Sequence, residues 1–187
     1  MKLPRFDSAS VLVIGDLMLD RYWHGSTGRV SAEAPVPVVD VKEIEDRPGA
    51  AANVALNVAS LGAKSALVGM IGDDEAGSVL AEKLGSAGID CYFARHDGYR
   101  TTTKLRIVSK NQQLLRADFE EQTPLDLSVL QQAVTKTIDA VDNVLLSDYD
   151  KGVITDPRDV IASARKLQKP VLVDPKFKNF DVYRGST

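Results

Sequence analysis

The sequence predicts an α/β fold in which a mainly parallel β-sheet is flanked by helices. Short aliphatic runs alternate along the chain with segments whose apolar residues recur at helical spacing. Residues 11–14 form such a run without polar alternation, which is typical of a strand buried on both faces. Strands that alternate with helices favour parallel pairing through right-handed crossovers.

Three of the predicted strands end in an aspartate. Residues 11–14 lead into Gly15 and Asp16, residues 144–147 lead to Asp148, and residues 171–173 lead to Asp174. We expect all three strands to be buried and their carboxylates to share one edge, because open α/β sheets bind ligands at the carboxyl ends of their strands. Carboxylates accept hydrogen bonds from hydroxyl groups, so the edge predicts a polyol or sugar site.

The composition is that of a soluble globular domain. The chain has 187 residues, of which 44% are hydrophobic and 26% are charged, and its net charge is -3. This charge gives no reason to expect a nucleic acid or an anionic membrane as a partner. No apolar run approaches the about 20 residues that span a bilayer. The single Cys91 and the absence of a signal peptide predict a reducing, cytoplasmic location.

A break at Pro48 and Gly49 precedes a helix that carries Asn53 near its start. Gly49 allows the backbone to approach a ligand, and the helix start offers free N–H groups. With Asp16 and Asp20, Asn53 makes a natural polyol site. Two other interpretations stay open: an acidic site of this kind also suits Mg²⁺, and each aspartate alone would be explained as a helix cap. The alternative explanation of the break is that it serves only the close packing of the helix start and contacts no ligand.

The same helix carries two apolar stripes. We expect the large one to be buried, and the small one to allow close packing; the large stripe is Val54, Val58 and Leu61, and the small one is Ala51, Ala55 and Ala59.

Two further segments predict β-structure outside the main sheet. Residues 34–44 read as an extended edge strand, or flap, because prolines stand at its start. Residues 101–108 and 112–119 predict a hairpin, with Lys104 and Arg106 on one face of its first strand and Arg116 on the second. These cations could hold a phosphate; a solvated strand face is the alternative.

In combination, these motifs resemble the ribokinase-like carbohydrate kinases. The shared parts are Gly15-Asp16 with Asp20, the helix start at 48–53, and the segment 69–77. Within that family, more particular segments resemble the heptose 7-phosphate kinases; these are residues 15–23, 33–38, 103–106 with 111–113, and 146–149 with 151–152. The likeness extends over essentially the whole chain.

The resemblance implies ATP-dependent phosphorylation of D-glycero-β-D-manno-heptose 7-phosphate at its anomeric hydroxyl, with ATP and Mg²⁺ as cofactors. The product would serve ADP-heptose and lipopolysaccharide core synthesis. It also implies a β-flap at about residues 29–47 that covers the sugar and forms a homodimer.

The resemblance assigns roles residue by residue. The sugar hydroxyls would be held by Asp16, Asp20, Asn53 and the Gly49 backbone. The 7-phosphate would be held by Lys104 and Arg106. Asp148 and Lys176 would face the region of phosphoryl transfer, where Lys176 could neutralise charge on the transferring group.

Two departures from the family pattern change these expectations. Ala50 stands where the family usually has a second glycine, which costs little if the backbone there is helical. The later motifs are absent: there is no Gly-Ala-Gly-Asp segment with the general base, and no Asn-x-x-Glu motif associated with Mg²⁺. We therefore expect residues 1–187 to be the N-terminal portion of a single kinase domain. The base and the C-terminal nucleotide-binding part would lie beyond Thr187, and the isolated chain would be inactive.

Other functions remain as alternatives. The chain could belong to a different sugar or nucleoside kinase of the same fold, or act as a non-catalytic sugar-binding or dimerisation module. A nucleotide-dependent oxidoreductase is disfavoured, because Gly-x-Gly-x-x-Gly does not follow the first strand.

Overall fold

The computed structural model describes residues 5–96, 98–121, 127–176 and 179–187. In these residues the chain forms two sheets and four α-helices. The elements, in chain order, are β1 (Ser10–Gly15), β2 (Leu17–Val30), β3 (Pro37–Ala50), α1 (Ala51–Ser60), β4 (Lys64–Ile71), α2 (Glu75–Ser86), β5 (Asp90–Arg95), β6 (Thr103–Ser109), β7 (Gln112–Phe119), α3 (Ser128–Thr137), β8 (Asn143–Asp148), α4 (Pro157–Lys166) and β9 (Val171–Pro175). Two 3-10 helices cover Ile138–Ala140 and Phe180–Tyr183.

Sheet A holds the core and confirms the predicted α/β architecture. Its five strands lie in the order β5-β4-β1-β8-β9, and every neighbouring pair is parallel. Residues of β1 alternate between the two faces: Leu12 and Ile14 pack with α3 and α4, whereas Val13 packs with α1 and α2. Both faces of β1 are therefore covered by helices, which explains its uninterrupted aliphatic run.

The strand β9 is not buried on both faces, so the expectation of three fully buried strands is wrong for this one. Leu172 leaves 49% of its surface exposed, whereas Val171 and Val173 pack on the core that α4 covers. Within the described residues β9 pairs with β8 alone and forms the edge of sheet A. An aliphatic run at a sheet edge looks like a central strand in sequence, because neighbours across the sheet are not visible there.

Sheet B contains the predicted flap and extends beyond its expected residues. The flap was expected at about residues 29–47, and a hairpin was expected at residues 101–119. Instead, Leu17–Val30 and Pro37–Ala50 form one long antiparallel hairpin, and β6 pairs with β2 in parallel to give the order β3-β2-β6-β7. The flap is thus one four-stranded sheet that contains both hairpins.

The hairpin predicted at residues 101–119 is confirmed over residues 103–119, with Lys110 and Asn111 as its two-residue turn. Their φ values are 48° and 62°, which is the geometry that suits the twist of flanking strands. The register places Arg106 opposite Arg116 and Lys104 opposite Asp118. Lys104 and Arg106 therefore share a face of sheet B, as expected.

Candidate functional site

The carboxyl ends of β1, β8 and β9 meet at one edge of sheet A. Gly15 lies opposite Ser147, and Ser147 lies opposite Asp174. The predicted meeting of the three strand-end aspartates at one edge is therefore confirmed. Their surroundings differ, however, and the differences separate their possible roles.

Asp16 lies beneath the edge, with 1% of its surface exposed. Its carboxylate accepts hydrogen bonds from the backbone N–H groups of Tyr149, Lys151 and Val153, at 2.8, 3.2 and 3.1 Å. Burial raises its pKa, although these hydrogen bonds act in the opposite direction. Asp16 thus fixes the loop that follows β8, and this geometry argues against direct contact with a sugar.

Asp148 is also engaged within the protein. The Tyr183 hydroxyl donates to its Oδ2 at 2.6 Å, and the Asp150 N–H donates to its Oδ1 at 3.0 Å. Burial and the Asp148 hydrogen bond raise the pKa of Tyr183 well above its usual range, so the hydroxyl stays a donor. Lys176 is exposed beside this pair, and its Nζ lies 3.3 Å from the Tyr149 carbonyl oxygen. Of the predicted residues Asp148 and Lys176, Lys176 is therefore the one that is open to a ligand.

Asp20 lies on β2, where sheet B leaves the edge of sheet A. Its carboxylate accepts a hydrogen bond from Arg106 Nη1 at 2.5 Å, and its side chain is 20% exposed. A Cβ built on Gly49 would lie 2.5 Å from Asp20 Oδ2. A side chain at this position would displace the carboxylate, so the two predicted residues are in close contact.

One face of sheet B carries Asp20 and a row of aromatic and charged side chains. By the strand register and the period of two, this front face holds Asp20, Tyr22, His24, Glu45, Arg47, Lys104, Arg106, Arg116 and Asp118. The Arg47 and Arg106 guanidiniums lie 4.6 and 5.2 Å from the Tyr22 ring centre. Sequence reasoning missed Tyr22 and Arg47. The period-two spacing of residues 20, 22 and 24 was the signal that could have placed Tyr22 on the face of Asp20.

A lysine from the loop of sheet A reaches this face. Lys151 Nζ lies 2.6 Å from Glu120, the residue after β7. The hydrogen bond from Lys151 lowers the pKa of Glu120, and the charge of Lys104 acts in the same direction. Burial and the nearby charges of Asp174 and Asp20 raise the pKa of Tyr149 in the same loop. The loop that Asp16 fixes therefore meets the front face of sheet B. Sequence reasoning did not identify Lys151 as a site residue.

Asn53 lies in the first turn of α1, at the same edge. It is exposed, and its amide forms no hydrogen bond with the part of the chain that the structure describes. The helix start is fixed by the Ala51 N–H, which donates to the Asp16 carbonyl oxygen at 3.1 Å. Asn53 is thus available to a ligand.

The backbone at Ala50 is not helical. The expectation that alanine replaces glycine here at little cost in stability assumed a helical backbone, so it does not hold. Its φ and ψ are 50° and -129°. A side chain at positive φ is strained, and this region is used mainly by glycine. The family's preference for glycine here therefore has a backbone reason.

The described residues include no group of three or more His, Cys, Asp or Glu placed to hold a metal ion.

The model of the pfkB family of carbohydrate kinases matches residues 8–184. The chain belongs to the pfkB family. This agrees with the resemblance to ribokinase-like kinases and covers nearly all of the sequence.

Curated relatives of this pfkB chain match it from end to end. It is 54% identical over 187 residues to the bifunctional protein HldE of Pseudomonas fluorescens, and 53% identical to HldE of Pseudomonas aeruginosa. The match covers 100% of this chain but 39% and 40% of those relatives. The chain thus spans about two fifths of the length of the curated relatives that it matches.

Solved structures share the pfkB fold at low identity. A putative ribokinase from Agrobacterium tumefaciens aligns with a TM-score of 0.66 and 23% identity, over 95% of this chain and 56% of its own. Arabidopsis thaliana ribokinase, complexed with ribose and ATP, aligns with a TM-score of 0.64 and 18% identity, over 91% of this chain and 54% of its own. These likenesses show the ribokinase-like fold. Among the described residues of the pfkB chain, no helix is long and apolar enough to cross a membrane.

Proposed function

We propose that this chain forms the sugar-binding part of an ATP-dependent sugar-phosphate kinase. The observation that carries the proposal is the contact of Asp20 with Gly49 on a face that also presents Lys104 and Arg106. A carboxylate suits sugar hydroxyls and clustered cations suit a phosphate, so the front face offers both halves of a phosphorylated sugar site. Membership of the pfkB family supports phosphoryl transfer as the reaction.

The substrate proposed is D-glycero-β-D-manno-heptose 7-phosphate, phosphorylated at the anomeric hydroxyl to the 1,7-bisphosphate. Support comes from the segments that resemble heptose 7-phosphate kinases, which contribute residues 20–23, 103–106 and 151 to the site. The product would supply ADP-heptose for the lipopolysaccharide core, in the cytoplasm.

The residues divide into holding and positioning roles. Asp20, Asn53 and the Gly49 backbone hold sugar hydroxyls, and Lys104 and Arg106 attract the 7-phosphate. Lys176, beside Asp148, faces the region of phosphoryl transfer and offsets negative charge there. Asp16 acts below them as the anchor of the 149–153 loop.

The general base and most of the ATP pocket are proposed to lie outside these 187 residues. The Gly-Ala-Gly-Asp and Asn-x-x-Glu motifs are absent from the sequence, and the matched relatives are longer than the chain. Residues 1–187 would then be the N-terminal portion of one kinase domain. Phosphoryl transfer needs a positioned nucleophile together with a clamped triphosphate, so the chain alone should bind sugar without turning it over.

A ligand panel with an activity assay tests this proposal. Ligands that bind the folded state raise its melting temperature, so heptose 7-phosphate should give a larger rise than ribose, fructose 6-phosphate or adenosine. A coupled assay of ADP release with heptose 7-phosphate and MgATP should show no turnover. A larger shift with another ligand would reassign the substrate, and turnover above contaminant level would refute the inactivity of the chain.

A homodimer through the flap is the proposed assembly. On the back face of sheet B, Ile44, Trp23, Ile107 and Leu115 lie side by side across all four strands. Ile44 and Leu115 leave 59% and 58% of their surfaces exposed. The buried Trp23 indole N–H has no acceptor within the described residues. A continuous apolar row of this kind, centred on a tryptophan, is typical of a protein interface.

A further inference from the structure

Five charged side chains form one cluster where the loop of sheet A meets the front face of sheet B. We define this bridging cluster as Lys104, Arg116, Asp118, Glu120 and Lys151. Lys104 Nζ lies 3.1 Å from Asp118 and Lys151 Nζ lies 2.6 Å from Glu120. Arg116 Nε lies 2.8 Å from Asp118, which therefore serves two cations. The cluster joins the two sheets beside Asp20, whose register partner on β6 is Lys104.

The cluster has more positive charge and more donors than it uses internally. It contains three cations and two carboxylates. Hydrogen bonds from Lys104 and Arg116 lower the pKa of Asp118 against the effect of burial, and Lys151 lowers that of Glu120, so both carboxylates are ionised at neutral pH. An ammonium has three donors, yet Lys104 and Lys151 each have one carboxylate within ion-pair distance among the described residues.

The side chains of these lysines are 17% and 19% exposed, and the bond from Lys104 Nζ to Asp118 lies at the surface, where a ligand can reach it. A phosphate group, with several acceptor oxygens and negative charge, matches both the donors and the surplus charge. Arg106 is less available for this task. Its guanidinium donates to Asp20 and lies over the Tyr22 ring.

We infer that Lys151, together with Lys104, holds the phosphate that the sugar substrate already carries. Glu120 competes with that phosphate for Lys151, so binding exchanges one anionic partner of the lysine for another. Lys151 is then a specificity-determining residue that favours phosphorylated over unphosphorylated sugars. This inference rests on the proposed function, because it assumes that the sugar lies at Asp20.

The test is the ratio of two dissociation constants, measured by calorimetry for heptose and for heptose 7-phosphate on the same protein. A hydrogen bond to a charged group is worth about 1.5–3 kcal/mol, which corresponds to about tenfold or more in affinity. Lys151→Met and Lys104→Met should each lower the preference for heptose 7-phosphate by about tenfold or more. Lys83→Met, an exposed lysine on α2, is the matched control and should leave the ratio unchanged.

Glu120→Gln separates a phosphate site from a merely structural bridge between the sheets. If Glu120 competes with phosphate, this variant binds heptose 7-phosphate more tightly and binds heptose as the wild type does. If the ion pair only holds the sheets together, Glu120→Gln and Lys151→Met weaken both sugars alike, and the inference is overturned.

The affinities of the wild-type protein for the two sugars separate a failure of the phosphate site from a failure of the proposed function. Equal affinity for the two sugars would overturn the phosphate site but leave the sugar site standing. Binding of neither sugar would overturn the proposed function, and the phosphate site with it.

Discussion

Asp16 and Asp20 stand four residues apart in one motif, yet their carboxylates do different work. Asp16 is buried and saturated by backbone N–H groups, whereas Asp20 is accessible and touches Gly49 and Arg106. The sequence predicted both as ligands, since strand-end acids look alike without their neighbours. The hydrogen bonds to Asp16 come from residues 149–153, more than 130 positions away, and no local pattern reveals them.

Replacement of each aspartate by asparagine should separate these roles. Asp16→Asn turns an amide NH₂ toward backbone donors, so we expect it to lower the free energy of unfolding by about 2 kcal/mol. Asp20→Asn should instead reduce affinity for heptose 7-phosphate by about tenfold with a smaller loss of stability. Urea denaturation and calorimetry on both variants measure the two effects. Equal losses of stability would contradict the division of roles.

The titration of Asp16 gives an independent check on its burial. Burial raises its folded-state pKa above the ordinary 3.8. The folded state then binds the proton more tightly than the unfolded state. The contribution of this group to stability is therefore full below pH 3.8 and is lost as the pH rises through the folded-state pKa. Carbon-detected NMR of the carboxyl groups should give a midpoint above 3.8 for Asp16.

Asp142 is the internal control for that titration. Hydrogen bonds from Ser10 lower the pKa of Asp142, so its midpoint should lie below 3.8 in the same spectra. A midpoint for Asp16 at or below that of Asp142 would show that its carboxylate is solvated.

At the scale of elements, the hairpin at 103–119 was predictable and the flap was only partly so. The hairpin alternates along its strands and has a turn that forms locally. In contrast, β2 begins with Leu17, Met18 and Leu19, all of which are buried, and its two-faced alternation starts only at Asp20. Neither the start of β2 nor its pairing with β6 could therefore be predicted from the sequence.

The helix α1 packs through its small-residue stripe, as expected, but its large stripe is less buried than predicted. Ala51 and Ala55 are fully buried, whereas Leu61 is exposed at the end of the helix. Because small residues let α1 pack closely on sheet A, the small stripe makes the contact with the sheet. Spacing alone shows that both stripes exist, but not which of them faces the sheet.

The junction of β3 and α1 should be strained at Ala50. A residue held at positive φ in a region used mainly by glycine costs about 1–3 kcal/mol, and glycine at this position loses up to about 1 kcal/mol of chain entropy in return. We expect Ala50→Gly to raise the free energy of unfolding by about 1 kcal/mol. Chemical denaturation measures it.

Ala55→Gly, in the interior of the same helix, is the matched control for that variant. It should lower stability by about 1 kcal/mol or more, because glycine is a poor helix former and the site is buried. If both variants are destabilising, the backbone at Ala50 is not strained.

For the whole molecule, the fold class followed from sequence because aliphatic runs and helical stripes are local signals. The convergence of two sheets on one site did not, since the meeting of Lys151 with Glu120 depends on how separate elements pack. The apolar row on the back of sheet B could likewise not be predicted, because it depends on the pairing of β2 with β6.

The proposed homodimer makes a prediction at this scale. Ile44→Asp combined with Leu115→Asp places charge in the apolar row, which disfavours its burial against a second copy. Light scattering should report a dimer for the wild type and a monomer for this variant, with the circular dichroism spectrum unchanged. Leu61→Asp, at an exposed leucine directly after α1, should remain dimeric. A wild-type monomer would refute assembly through the flap.

The proposed function requires that sheet B and the edge of sheet A together bind a phosphorylated sugar. Calorimetric titration of the 187-residue chain with heptose 7-phosphate, in the absence of ATP, tests this most directly. One site per chain is expected, with the affinity lost in Asp20→Asn. The absence of binding, or binding that Asp20→Asn leaves unchanged, would contradict the account.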